Sequence, residues 1–502
     1  MPQSSASFAI ENFGCRAARA DGEAAAADLR ARGLREEPLD QASVVVVNTC
    51  TVTAEADRDA RAFVRRIRRR NPDARIVVTG CYAQRAPEEV AALAGVSAVV
   101  GNSHKSLVGE VAARLARDHA ARNSELNPEL HSEPNPKLNP DPGFLPAARL
   151  LGSAARIDGS VAIWADDSFA HTGIDSAATP TLAHWSPASA QTRPSLKIQE
   201  GCNNRCSFCV IPFTRGSSRS MTAERVLAEV RAFVAAGGQE LVLSGINLGR
   251  WGRDLRSADA SSERTASLHC LIARILAETN LPRLRLSSIE PMDWTPELIA
   301  ALAESAAGDH RLAPHAHLPL QSGSDAVLRR MHRRYRPWHY AAKVEAIAAA
   351  CGDALALGAD VMVGFPGETD AEFDETLRLV ESLSFTYLHL FPFSPRPGTS
   401  GFALHAAHPV PAAVIRARMD RLRQLAEEKS ATFRERMLRR RLRALTLHPP
   451  AATRARSRTL ALTENFLEYE LDAALDSNLP VLLRPVSATT AALVKSQGNP
   501  AR

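Results

Sequence analysis

From residue 7 to about residue 100 the chain alternates short apolar runs with stretches whose apolar residues recur at helical spacing. The runs are Ser7-Phe-Ala-Ile, Ser43-Val-Val-Val-Val-Asn and Arg75-Ile-Val-Val-Thr, and residues 22–32 and 54–70 carry the helical spacing between them. Strand and helix signals in this order predict a parallel α/β sheet. Each run leads into a cysteine: Cys15, Cys50 and Cys81. The carboxyl ends of parallel strands share one edge, so three thiols spread over 67 residues converge on one point. A lone cysteine is more often a small buried side chain. Three at equivalent places point to a metal site.

The regular pattern stops near residue 104. Residues 123–146 contain Asn-Pro-Glu-Leu, Asn-Pro-Lys-Leu and Asn-Pro-Asp-Pro, a proline-punctuated tract too poor in apolar residues to form a core. Residues 105–194 therefore read as a linker with a surface insertion, to which residues 157–175 add a short strand or two.

Six further strand candidates follow at residues 195–199, 240–244, 283–287, 315–320, 359–363 and 387–391, separated by helical stretches. They predict a partial (β/α)6 barrel over residues 195–433. Barrel sites are built from the carboxyl ends of strands. Polar and glycine punctuation falls there: Ser244-Gly245-Ile246-Asn247, Ser288-Ile289-Glu290, Gln321-Ser322-Gly323 and Gly364-Phe365-Pro366-Gly367. Glycine admits a ligand close to the backbone, while amides and hydroxyls can fix a nucleoside. Residues 434–502 open on an arginine-rich helical stretch and continue with strand-like runs at 445–448, 459–463, 466–471 and 481–483. The predicted fold class is α/β: an N-terminal parallel sheet domain over 1–104, the central barrel, and a small C-terminal β domain.

Composition bounds this picture. A chain of 502 residues that is 45% hydrophobic can bury several cores. Eight cysteines are too few for a disulfide scaffold, and six of them fall into two metal-type groups, which suits a reducing cytoplasm. A net charge of +6 and a pI near 9.0 suit a polyanionic partner. Two basic stretches stand out: Arg58, Arg61, Arg65, Arg66, Arg68, Arg69 and Arg70, then Arg434, Arg436, Arg439, Arg440, Arg441 and Arg443. Such runs are usually solvated faces, but the second one, opening a small β domain, reads as a phosphate contact. The first residues lack a basic stretch leading into an apolar core, and no run of about 18 apolar residues occurs, so neither export nor a membrane span is expected.

The densest chemistry lies in Glu200-Gly-Cys-Asn-Asn-Arg-Cys-Ser-Phe-Cys, where Cys202, Cys206 and Cys209 form a C-x3-C-x2-C loop after the first barrel strand. Three thiolates leave one iron of a cubane open to bind and reduce a substrate. Structural zinc would require a fourth nearby ligand, and the nearest other cysteine is Cys270. The N-terminal trio likewise supplies three ligands, which suggests a second cluster.

This spacing, with Phe208 just before the last cysteine, resembles the radical S-adenosylmethionine superfamily. The resemblance takes in Phe13-Gly-Cys-Arg, Val47-Asn-Thr-Cys-Thr-Val-Thr and Val78-Thr-Gly-Cys-Tyr-Ala-Gln upstream. Downstream it takes in Ile211-Pro-Phe-Thr-Arg-Gly-Ser-Ser-Arg-Ser, Leu243-Ser-Gly-Ile-Asn, Pro319-Leu-Gln-Ser-Gly-Ser, Val363-Gly-Phe-Pro-Gly-Glu-Thr and Phe391-Pro-Phe-Ser-Pro-Arg-Pro-Gly-Thr. Together these look like a methylthiotransferase, most like the enzymes that modify threonylcarbamoyladenosine in tRNA.

The resemblance implies two 4Fe-4S clusters. The one on Cys202, Cys206 and Cys209 would cleave S-adenosylmethionine to a deoxyadenosyl radical. The one on Cys15, Cys50 and Cys81 would be where the sulfur is installed. It further implies Phe208, Ser244, Gly245, Asn247, Ser288, Gln321, Gly323 and Gly364 around S-adenosylmethionine. Residues 434–502 resemble a TRAM-like RNA-binding domain, with Arg439, Arg440 and Arg441 on tRNA phosphates. The implied product carries a methylthio group on carbon 2 of threonylcarbamoyladenosine at position 37. An electron donor such as flavodoxin or ferredoxin, a cytoplasmic location and a monomeric state complete the expectation.

The chain departs from the family pattern at Arg16-Ala17-Ala18-Arg19-Ala20-Asp21, where relatives usually carry a valine, an asparagine and, further on, a glutamate. That change bears on the support of the N-terminal cluster and not on its ligands. Cys270 and Cys351, in apolar helical contexts, read as core residues. The rival readings are methylthiolation of an isopentenyl-type adenosine in tRNA or of a ribosomal-protein aspartate, and a non-catalytic iron-sulfur electron carrier or RNA-binding regulator. The last would need no S-adenosylmethionine pocket.

Overall fold

The structure is a computed structural model that describes residues 6–125, 156–158, 161–167, 169, 174, 182, 185–187, 191–255, 267–450, 453 and 455–494. It divides into two compact units, one formed by Met1–Ser176 with Gly201–Asn203 and Cys209–Ser217, the other by the remainder.

The first unit is a doubly wound sheet. Its strands are β1 (Ser7–Asn12), β2 (Arg35–Glu36), β3 (Val44–Thr49), β4 (Arg75–Gly80), β5 (Val96–Gly101), β6 (Arg156–Asp158) and β7 (Val161–Trp164), in the order β2-β1-β3-β4-β5-β7-β6. All pairs are parallel except β6 with β7. The unbroken valine run of β3 is apolar on both sides because both sides are covered. Val45 and Val47 pack with Phe63, Val64 and Ile67 of helix Ala54–Arg70, and Val44 and Val46 pack with Leu29 of helix Arg16–Ala31 and Val111 of helix Val108–Glu125. Helix Val108–Glu125 and strands β6 and β7 lie in the stretch expected to be linker, so the sheet domain reaches well beyond residue 104. The reason is burial: Val161, Ala162, Ile163 and Trp164 are all enclosed, and Trp164 joins the helix-covered core. The proline-rich tract at 126–146 lies outside the described residues.

The second unit begins with β8 (Ser195–Glu200), edged by the antiparallel β9 (Arg219–Ser220), and continues with β10 (Glu240–Gly245), β11 (Arg283–Leu286), β12 (His315–His317), β13 (Ala356–Val363) and β14 (Tyr387–Pro392). Neighbouring strands run in the order β9-β8-β10-β11 and β12-β13-β14. A parallel bridge joins the two sets, with Leu284 N donating to Arg311 O at 2.6 Å and Ala313 N to Leu284 O at 2.8 Å. Six parallel strands in chain order make the expected open barrel. Strand β12 ends three residues short of its predicted end, although Leu318 N and Leu320 N still donate to Gly358 O and Asp360 O of β13. Strand β13 starts three residues early, since Ala356-Leu-Gly is a weak strand signal that is nonetheless buried. Among the described residues no helix is long and apolar enough to cross a membrane.

The C-terminal segment closes into a barrel of β15 (Leu442–Thr446), β16 (Thr459–Thr463), β17 (Glu468–Leu471), β18 (Pro480–Pro485) and β19 (Thr490–Leu493). The basic run from 434 to 443 is not one helix. Helix Ala412–Met437 ends inside it, Arg439 turns at φ 64°, and Arg443 already belongs to β15. Burial decides this: Phe433, Met437 and Leu442 all enter the barrel core, together with Ala356 of β13, so the chain must turn between Met437 and Leu442. The division expected at residue 433 therefore cuts through a helix.

Glu240, at the start of β10, is fully buried and meets Arg285 Nε at 2.7 Å, Arg193 at 3.1 Å and Arg283 at 3.3 Å. Burial alone would raise its carboxyl pKa, but Arg285, Arg193 and Arg283 hold it far below the usual carboxylate range. Its stabilising contribution is complete above an unfolded value of about 4.3 and is lost as pH falls from there through the depressed folded value. Glu240→Gln leaves buried guanidinium groups without a counter-charge and should cost about 3–5 kcal/mol. Thermal unfolding should show a markedly lower midpoint at neutral pH, with the gap to the parent narrowing below about pH 4. An unchanged midpoint at neutral pH would show that the network carries no net stabilisation.

Candidate metal centres

In the first unit, Cys15 caps helix Arg16–Ala31 just after β1, Cys50 follows β3 directly, and Cys81 opens the short helix Cys81–Arg85 directly after β4. Strands β1, β3 and β4 are neighbours in that order, so the three thiols meet at one carboxyl edge. The loops close up there because two positions lack a Cβ. Gly14, at φ 100°, has its missing Cβ position 2.2 Å from Cys50 Cβ, and that of Gly80, at φ 95°, is 2.3 Å from Thr49 O.

The thiols feel one another. A hydrogen bond from Cys50 lowers the Cys15 pKa to about 5, with Arg215 adding to the fall. The same bond, with burial, pushes the Cys50 thiol up. Burial also raises Cys81, opposed by Arg215. Cys81 Sγ receives Asn102 Nδ2 at 3.3 Å and Arg215 Nε at 3.2 Å.

The second trio lies on the loop that leaves β8. At the first-unit part of this loop, Gly201 (φ 69°) has its missing Cβ position 2.0 Å from Ser217 O, and Cys202 N donates to Gly216 O at 3.0 Å. In the second unit, Arg333 Nη1 reaches Cys206 Sγ at 3.4 Å, while its Nη2 meets Glu290 at 2.5 Å and its Nε meets Tyr335 Oη at 3.2 Å. Burial would lower the Arg333 pKa, yet Tyr335, Glu290 and Cys206 keep it well above the ordinary arginine value. A shallow cleft opens here, lined by Asn204, Arg205, Cys206, Arg250, Glu290, Met292, Asp293, His332, Arg333, Arg334 and Tyr335. Glu290 belongs to the Ser288-Ile289-Glu290 segment expected at the barrel mouth, whereas Arg333 has no role in the sequence reading. Arg333 is hidden among the surface arginines of the 329–336 run.

The residues expected around S-adenosylmethionine follow the carboxyl ends of the barrel strands. Ser244 and Gly245 end β10, where Gly245 has its missing Cβ position 2.5 Å from Gln199 Cβ, and Asn247 turns at φ 59°. Ser288 follows β11, and Gln321 (φ 65°) bridges to Val361. Phe208 stands edge-on to Phe365 at 6.5 Å. Two of the glycines also serve packing. The missing Cβ position of Gly323 is 2.6 Å from Thr376 Cα, and that of Gly364 (φ 77°) is 2.6 Å from the Ile415 side chain.

A further group went unread in the sequence: His317 Nε2 meets Asp360 Oδ1 at 3.0 Å, His389 Nδ1 meets the same oxygen at 3.3 Å, and His317 Nδ1 lies 2.9 Å from Tyr387 Oη. It ties β12, β13 and β14 together. Arg439, Arg440 and Arg441 are exposed on the turn before β15, with Arg440 3.7 Å from Asp353. Cys270 and Cys351 are half-buried, outside the deep core expected for them.

Comparison with known proteins covers both halves of the chain. Residues 196–380 match the Radical SAM superfamily, and residues 7–101 match the uncharacterized protein family UPF0004. Threonylcarbamoyladenosine tRNA methylthiotransferase MtaB of Bacillus subtilis is 34% identical over 78% of this chain and 75% of its own length. Its namesake from Aquifex aeolicus is 30% identical over 92% of this chain and 96% of its own. A tRNA-2-methylthio-N(6)-dimethylallyladenosine synthase of Novosphingobium aromaticivorans is 32% identical over 85% and 83%. With likeness of this extent over most of its length, the chain belongs to the radical S-adenosylmethionine tRNA methylthiotransferases.

Proposed function

We propose that this enzyme adds a methylthio group to carbon 2 of threonylcarbamoyladenosine at position 37 of tRNA. The observation that carries the reading is the presence of two cysteine trios in a sequence so similar to proteins named for that reaction. Cys202, Cys206 and Cys209 hold one 4Fe-4S cluster, and Cys15, Cys50 and Cys81 hold the second. Bound together with S-adenosylmethionine, these clusters supply the radical and the sulfur that acid–base side chains cannot provide at an unactivated C–H bond.

The chain's own groups bind, orient and shield. Phe208, Ser244, Gly245, Asn247, Ser288, Gln321, Gly323 and Gly364 line S-adenosylmethionine, and Arg333 fixes Cys206 while Glu290 neutralises it. Arg439, Arg440 and Arg441 take tRNA phosphates, which position the RNA while base identity is read at the barrel mouth. The electron comes from a small donor protein such as flavodoxin or ferredoxin, in the cytoplasm.

Anaerobic reconstitution tests the division of labour. Changing Cys202, Cys206 and Cys209 together to Ala should remove about half of the iron, in keeping with two equal clusters, and abolish deoxyadenosine formation. The same change at Cys15, Cys50 and Cys81 should leave cleavage of S-adenosylmethionine and eliminate the methylthio product. Equal loss of both activities in a folded second variant would overturn the assignment. Nucleoside mass spectrometry of tRNA from cells lacking the protein should show loss of the methylthio form of threonylcarbamoyladenosine. Loss of the dimethylallyladenosine form instead would transfer the substrate assignment.

Binding of tRNA should weaken steeply with salt. Neutralising Arg439, Arg440 and Arg441 to Gln should flatten the slope of log affinity against log salt by roughly 2, at about 0.7–0.9 per phosphate contact. A slope unchanged from the parent would remove these arginines from the interface.

A further inference from the structure

Arg215 is the last residue of helix Ile211–Arg215, six positions beyond Cys209, yet its side chain ends at the other trio. It is 1% exposed. A buried guanidinium is costly unless strong acceptors surround it. Its Nη1 meets Asp21 Oδ2 at 2.9 Å and its Nε meets Cys81 Sγ at 3.2 Å. The arrangement is built from several sides. Asp21 also takes Lys105 Nζ at 3.4 Å, so two cations meet one carboxylate. Asn102, itself buried, spans from Cys81 Sγ at 3.3 Å to Thr214 O at 2.8 Å, fixing the helix that carries Arg215. Cys81 is 2% exposed, so water cannot substitute for these donors.

Resting on the reading of Cys15, Cys50 and Cys81 as cluster ligands, we propose that Arg215 and Asn102 are positioning residues for that cluster. Their N–H groups hold the Cys81 sulfur and, with the guanidinium charge of Arg215 placed directly against it, make the cluster easier to reduce. Hydrogen bonds to the sulfurs, net charge and exclusion of solvent are the terms that set the potential of such centres. Asp21 has a part in this: it lies in the stretch where the chain departs from its relatives, and it anchors the cation that reaches Cys81.

The test uses full-length protein carrying Cys202→Ala, Cys206→Ala and Cys209→Ala, reconstituted anaerobically so that only the second cluster remains, with a redox titration followed by electron paramagnetic resonance. Arg215→Gln should move the cluster to a more negative potential, by about tenfold in the oxidised-to-reduced ratio at fixed potential, or ~59 mV for one electron. Arg215→Lys, which keeps the charge, should recover most of the shift. Asn102→Ala should give a smaller shift in the same direction. A loaded cluster whose potential stays at the parent value in Arg215→Gln and in Asn102→Ala overturns the inference. If Arg215→Gln fails to load, Arg215→Lys and Asn102→Ala decide it by the same criterion. A triple-cysteine background with Arg215 intact that binds no iron would overturn the cluster reading itself, and the inference with it.

Discussion

Register between parallel strands is the constraint on which the N-terminal centre depends. Asn12 lies level with Asn48, and Thr49 level with Gly80, so the turns that carry Cys15, Cys50 and Cys81 leave the sheet together. In most half-buried strands the alternation of apolar and polar residues fixes the register, because a slip of one residue turns the apolar face to water. That restraint is absent from Val44-Val-Val-Val, which is apolar on both faces. Polar contacts at the strand ends take its place. Ser7 N and Ser43 Oγ bond at 2.8 Å at the start of β1 and β3, and Asn48 Nδ2 bonds to Asn12 Oδ1 at 2.9 Å at their ends. The asparagines are therefore as important to convergence of the thiols as the glycines that let the loops approach.

The second unit solves a different problem, that of charge in a dry interior. Glu240 gathers arginines at the amino ends of the barrel strands, and Glu368 takes Arg418 Nη1 at 2.8 Å below the Gly364 turn. At the other end, Arg333 is neutralised by Glu290 before it reaches Cys206. Paired in this way, a guanidinium can be kept beside a thiol without destabilising the barrel, because most of its desolvation is offset by a carboxylate. Arg215 with Asp21 repeats the device in the first unit.

Much of this was legible in the sequence, and the limits have physical causes. The valine runs, the six barrel strands and the two cysteine trios stood out because period and spacing are local properties. The turn at Arg439 did not, because arginine is a good helix former and only the burial of Met437 and Leu442 in a distant core breaks the helix. Strand β19, Thr490-Ala-Ala-Leu, is too short and too rich in alanine to register as a strand. Arg215, Arg333 and the His317–Asp360–His389 group share another obstacle. Each joins residues far apart in the chain, and a charged or imidazole side chain looks the same in sequence whether it faces water or a thiol. For Arg215 the motif that contains it was visible while its partner, 134 positions away, was not.

The small barrel shares its core with the rest of its unit. Ala356 of β13 packs with Phe433, Met437 and Tyr469, and Phe466 lies tilted against both His315 and Tyr387. During synthesis on the ribosome, the strands of the larger barrel emerge well before the residues that cover them. Until the final strands have been made, an apolar patch on β13 and the aromatic ring of Tyr387 are left facing solvent. The nascent enzyme thus passes through a stage in which its radical-generating half is complete in sequence but open at this face. Burial of this face therefore waits on residues 433–491, which makes the small barrel the last step in closing the core of the larger one.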